Sequence, residues 1–331
     1  MKKGIVFVIL LVSLTSASLV YGWGIWAHNH VNKGAVLALP PEMGMFFYNH
    51  ADFIVDGSMI ADFRKRYDSA EKRKHYIRLE KYNYHSRESM PATLKEATAI
   101  YGFDSLGVYG TIPWAIEETM MKLTEAFKAK KKSEILFYAA DLGHYIADAH
   151  QPLHTTVNAR GQLTGQDGVH ALYQRQLPEL FGKGYNLYNA EAHYVKDIHK
   201  ATWDIIDSSH KQVNTLLSIE AKMRKDNPMD KQYVMDSTGH PAKSKYALPI
   251  HTYQYAHVYH ELLNGMIEKQ IRSSIKVTAD FWYTAWVNAG KPDLSELDPD
   301  YVTERNIAPY KEDMKYWKKG KVHGCKSEKE Y

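Results

Sequence analysis

Ser133-Glu-Ile-Leu-Phe-Tyr-Ala-Ala-Asp141-Leu-Gly-His144-Tyr-Ile-Ala-Asp148-Ala-His150-Gln151-Pro152-Leu-His154 decides the fold class of this chain. Ile135, Leu136, Ala139 and Leu142 recur at helical spacing and give the segment one apolar side. His144 and Asp148 are four apart, so on a helix they stand one above the other. Pro152 disfavours helical backbone at Gln151, so the helix is expected to end there and release His154 to fold back toward the same point. A loop containing glycine and asparagine then leads to Gly168-Val-His170. Four histidines and Asp148 within Asp141 to His170 make a donor set that suits a polynuclear metal site. That density points to a metal-dependent hydrolase.

Helical patterning extends outward on both sides. Asn29 to Leu39 carries Val31, Ala35, Val36 and Leu39 at three-to-four spacing and stops at Pro40-Pro41. Pro113 to Lys130 begins with proline in a first turn. Val195 to Met223 and Tyr253 to Ala289 read as two long helices. Arg224 to Ser244, polar and holding two prolines, reads as a surface excursion, and the lysine- and glutamate-rich tail after Tyr310 as a solvated end. Strand alternation, internal repeats and low-complexity linkers are not evident. The expectation is an all-α protein: one multi-helical domain over residues 23–331, with its metal cluster in a cleft between helices and a polar tail from about 311.

Met1-Lys2-Lys3 followed by an apolar run to Val20 has the form of a signal peptide over residues 1–22, cut after Gly22. The run is short for a membrane span and is interrupted by Ser13, Thr15, Ser16 and Ser18. Export to the periplasm or the medium is therefore expected. The formal charge of +4 includes Lys2 and Lys3, so the processed chain is nearly balanced and lacks the basic footprint of a dedicated nucleic-acid binder. A single cysteine, Cys325, excludes an intramolecular disulfide framework. The 24 tyrosines and 7 tryptophans read as an aromatic-rich core rather than as base-stacking platforms.

Four ordered motifs carry a family resemblance. Trp23-Gly-Ile-Trp-Ala-His28, Ser58-Met-Ile-Ala-Asp62-Phe-Arg64, Lys74-His75-Tyr76 and His144-x3-Asp148-x-His150-Gln-Pro-Leu-His154 resemble, in this order, those of one superfamily. Its members are the zinc-dependent phospholipases C and the single-strand-specific nucleases. The likeness runs from Trp23 to about Leu180. It implies three zinc ions. Asp62, His75, His144 and Asp148 match the ligands of one. The free amine and carbonyl of Trp23, His28 and again Asp148 match those of a second, and His154 and His170 belong to the third. Singly, His28 or His75 would read as an ordinary hydrogen-bonded histidine; in this set they read as ligands. His30 and His150 match none, and Asp56 competes with Asp62 only weakly.

One position departs from the pattern. Four residues after the last histidine the family has a carboxylate, and here stands Gln174. The third ion is thereby in doubt, with Asp167 as a substitute ligand. The resemblance implies hydrolysis of a phosphate ester by metal-activated water, with Asp148 as the bridging catalytic residue. The substrate stays open between a phospholipid head group and single-stranded nucleic acid, and no stable protein partner is expected. The competing expectation is a catalytically impaired, metal-stabilised surface protein, for which Gln174 is the main argument.

Overall fold

Helices order the protein in the computed structural model, which describes residues 23–326; the signal-peptide expectation for residues 1–22 lies outside them. Those that build the core and the site are α1 (Ile25–Leu37), α2 (Pro41–Asn49), α3 (Ala51–Gly57), α4 (Ile60–Arg64), α5 (Ile112–Lys128), α6 (Lys132–Ala149), α7 (Ile198–His210), α8 (Val213–Asp226), α9 (Tyr253–Leu262), α10 (Met266–Asn288) and α11 (Asp300–Trp317), with further helices, Leu94–Tyr101 and Phe103–Tyr109 among them, and short helical turns between them. The fold is all-α. Among the described residues strand pairing is confined to isolated antiparallel bridges, Tyr233 with His251, Met235 with Pro241 and Lys243 with Pro249. No helix among them is long and apolar enough to cross a membrane.

The ends of the helices follow local chemistry. Pro41 and Pro113 occupy first turns, where proline loses no hydrogen bond. The Asp197 side chain accepts from Lys200 N and the Thr252 hydroxyl from Tyr255 N, capping α7 and α9. Helix α6 ends at Ala149, and Pro152 opens a 3-10 turn over Pro152–Thr155, as the proline requires.

Helix α6 is the axis of the core. Every residue from Ala139 to Ala149 is buried, and the helix packs against α1, α3, α5 and α10. Its small residues let neighbours approach. At Gly143 a methyl group would stand 2.0 Å from Asn32 Oδ1, so only glycine fits. Asn32, on α1, donates from Nδ2 to the carbonyls of Ile54 and Ala140 at 3.1 and 3.2 Å and so ties α1 to α3 and α6. The Trp282 and Trp23 indoles donate to the carbonyls of Ala139 and Ala147 at 3.0 and 2.7 Å. One continuous cluster of buried apolar side chains reaches from Trp23 to Val322.

Three expectations are corrected. The helix expected over Val195 to Met223 is two, α7 and α8, separated by a turn at Lys211 and Gln212; each half buries its own apolar side, and the spacing alone does not register the break. The helix expected over Tyr253 to Ala289 is divided at Asn264-Gly265, whose φ values of 49° and 72° lie in the left-handed region. The described chain after Tyr310 is not solvated throughout, because α11 continues to Trp317, whose indole is buried against Tyr188. The polar excursion is real but begins later, after α8, and ends at His251.

Candidate metal centre

Asp148 collects the donors. On α6, His144 Nε2 lies 3.1 Å from Asp148 Oδ2, the approach that their four-residue spacing dictates. His75, in a 3-10 turn over Arg73–His75, brings Nδ1 to 2.8 Å from the same oxygen and 2.9 Å from His144 Nε2. Asp62, on α4, holds Oδ1 at 3.6 Å from His75 Nδ1 and 3.7 Å from His144 Nε2. On the other side His28, from α1, places Nε2 3.6 Å from Asp148 Oδ1 and stacks on His144 with ring centres 4.0 Å apart. The Trp23 backbone nitrogen is 3.3 Å from Asp148 Oδ1. Two buried groups, Asp62–His75–His144 and His28–His144–Asp148, therefore each place three donor atoms close enough to hold a metal ion.

The third expected set is brought only partly together. His154 folds back as the proline predicts, and its Nδ1 reaches 3.5 Å from Asp148 Oδ1. His170 stacks beside it with ring centres 5.2 Å apart, and its Nδ1 sits 2.7 Å from the Ala159 carbonyl oxygen. Gln174 lies within a π-helical turn over Leu172–Gln176, and its Oε1 accepts from Gln151 Nε2 at 3.1 Å. Its backbone carbonyl accepts from Gly24 N at 3.1 Å, anchoring the segment that carries Trp23. Asp167 is exposed, so it is not placed as a substitute within the buried cluster.

Asp167 apart, these side chains are buried: Asp148 and His144 are 0% exposed, and His154 and His170 only 5%. Burial pulls His28 and His154 below the ordinary imidazole range, His28 further through the neighbouring His144. For Asp148 burial acts in the opposite direction, but the charges of His144 and His154 and the hydrogen bonds from His144 and His75 outweigh it and hold the carboxyl well below its usual range. Asp62 behaves alike, with Lys65, His144 and His75 outweighing burial. The same carboxylates push His144 up against its burial, and imidazole with carboxylate is the donor chemistry a divalent transition metal takes. Both ring nitrogens of His28 and Nδ1 of His154 have no hydrogen-bond partner among the described residues, unusual for buried polar atoms. The residues therefore fit a bound cation.

His30 and His150 are placed apart, as their mismatch with the motifs implied. His30 turns Nδ1 to the Trp26 carbonyl at 2.6 Å, and His150 turns Nδ1 to the Ile146 carbonyl at 2.8 Å and Nε2 to Ser273 Oγ at 3.1 Å. Asp56 is exposed and pairs with Lys326. The motif reading overlooked Lys65, whose ammonium pairs directly with Asp62, and Glu71, which stands behind His75. Both lay within reach of helical spacing, three residues after Asp62 and four before His75. No protein-family model and no curated protein matches the chain.

Proposed function

We propose that this chain is an exported, zinc-dependent hydrolase of phosphate esters, of the phospholipase C and single-strand nuclease type. The observation that carries the reading is the convergence of buried imidazoles on Asp148 and Asp62, with ring nitrogens of His28 and His154 without a hydrogen-bond partner among the described residues. Asp62, His75, His144 and Asp148 would hold one ion. Trp23, His28 and Asp148 would hold a second, and His154 and His170, with Gln174, a third. Bound zinc lowers the pKa of a coordinated water to about 7 and offsets charge on phosphoryl oxygens. Asp148, reached from both sides, fixes the two groups relative to one another. Lys65 sets an ammonium beside Asp62, where it can pair with a phosphate oxygen.

The test is turnover by the protein beginning at Trp23, offered single-stranded RNA and phosphatidylcholine micelles. Release of nucleotides or of phosphocholine is expected to stop with chelator and return with zinc. No turnover of either substrate with zinc in excess supports the second reading, a metal-stabilised surface protein without catalysis. One observation favours that reading: the Gln174 amide is neutral, and its Oε1 is already engaged by Gln151.

Gln174 also yields a direct expectation. Gln174→Glu restores an anion beside His154 and His170, so the variant should carry about one more equivalent of zinc than the parent in metal analysis. Unchanged zinc content would remove Gln174 as the reason for a weak third ion.

A further inference from the structure

His75 is held from behind by a network that the phosphoesterase reading leaves unused. Its Nδ1 faces Asp148, His144 and Asp62. Its Nε2 points away, toward Glu71 Oε1 at 3.7 Å, and has no hydrogen-bond partner at the standard distance among the described residues. Glu71 is 3% exposed. It accepts from the Tyr145 hydroxyl, from Lys74 Nζ at 2.9 Å and from Arg64 Nη2 at 3.2 Å. Arg64 also donates to Asp141 Oδ2 at 2.6 Å. Asp141 and Tyr145 belong to α6, the helix that carries His144 and Asp148, and Arg64 closes α4, two residues after Asp62. The carboxylate aimed at His75 is itself held by three donors, two of them cationic side chains.

We propose that Glu71, braced by Arg64, Tyr145 and Asp141, is a positioning residue for the metal centre. It receives the His75 Nε2–H and keeps the Nδ1 lone pair directed at the ion. The inference rests on the metal-centre reading above. An imidazole has two ring nitrogens, and the hydrogen bond made by one decides which tautomer the other presents to a metal. A small rotation of the ring brings Nε2 and Oε1 within hydrogen-bond range. The same network spans the two elements that supply Asp62 and His144, so it also sets their separation. A cluster of ion pairs that merely joined α4 to α6 would need no acceptor behind His75.

Nitrogen NMR of the histidine-labelled, zinc-loaded protein tests this, together with zinc affinity measured by competition with a chelator. The expected spectrum shows His75 bound through Nδ1 and protonated at Nε2. Glu71→Gln and Tyr145→Phe are expected to weaken zinc binding by about 10–100-fold, the first more than the second. Ligation of His75 through Nε2 overturns the proposal. So does undiminished affinity in both variants, even where their melting temperatures fall, because a purely structural role moves stability without moving tautomer or affinity. Should Glu71→Gln not fold, the tautomer of the unmodified protein and Tyr145→Phe, which removes only a hydroxyl, decide the matter. An unmodified protein that binds no zinc overturns the metal-centre reading itself, and this inference with it.

Discussion

Asp148→Asn is expected to abolish turnover and to strip the protein of most of its metal. The substitution keeps the shape of the side chain and removes its charge. Among the described residues Asp148 is the one that approaches His28, His75, His144, His154 and the Trp23 nitrogen together. Losing it therefore weakens both ion groups at once, by more than the roughly 10–100-fold that follows loss of a residue supporting a single ligand. Thermal unfolding provides a readout independent of substrate. A ligand held at about 100 times its Kd stabilises by about 2.7 kcal/mol. In a protein of this size that raises Tm by several degrees, and the zinc-dependent rise should be small or absent in the variant. Full metal content and turnover in Asp148→Asn would sink the assignment of Asp148 as the bridging residue.

Why Asp148 was legible in the sequence, and other residues were not, has a physical cause. Helical spacing is local, so the His144–Asp148 pair, the apolar side of α6 and the stop at Pro152 follow from residues within one or two turns of each other. His154 folding back belongs to the same class. The gathering of His28, Asp62 and His75 is different. It depends on α1, α4 and a 3-10 turn meeting α6, and only motif order pointed to it. The break at Asn264-Gly265 carried a plain turn signal that the apolar periodicity of the flanking helices obscured. The docking of Trp317 left no comparable trace, because a lone tryptophan among lysines and glutamates reads as solvated until a partner such as Tyr188 is in place. Glu71, though four residues before His75, was masked for a related reason: a carboxylate in a charged run, Ala70-Glu71-Lys72-Arg73-Lys74, looks like solvated surface. Only the fold shows it buried under Tyr145.

Addition of one glycine before Trp23 is expected to remove one metal ion and most of the activity. The argument is electronic. Trp23 is 0% exposed, its indole is fixed by the Ala147 carbonyl and its ring packs on Tyr173, so its backbone nitrogen is delivered to Asp148 whichever residue precedes it. As a chain terminus that nitrogen is an amine with a pKa of about 7.7–8.0, and when deprotonated it offers a lone pair to a metal. Within a peptide bond the lone pair is delocalised into the carbonyl, and the same atom can only donate a hydrogen bond. The extended protein thus keeps Asp62, His75, His144 and Asp148 for one ion, while the group around His28 loses a ligand. Zinc content should fall by about one equivalent relative to the protein beginning at Trp23, and turnover should fall with it. Fold and melting temperature without metal should be nearly unchanged, which separates loss of a ligand from damage to the core. A cut after Gly22, as the proposed export implies, would then be an activation step, since the uncut chain presents an amide where the cut chain presents an amine. An extended protein with full zinc content and full turnover would remove the Trp23 nitrogen from the metal centre and leave His28 and Asp148 to hold that ion with water.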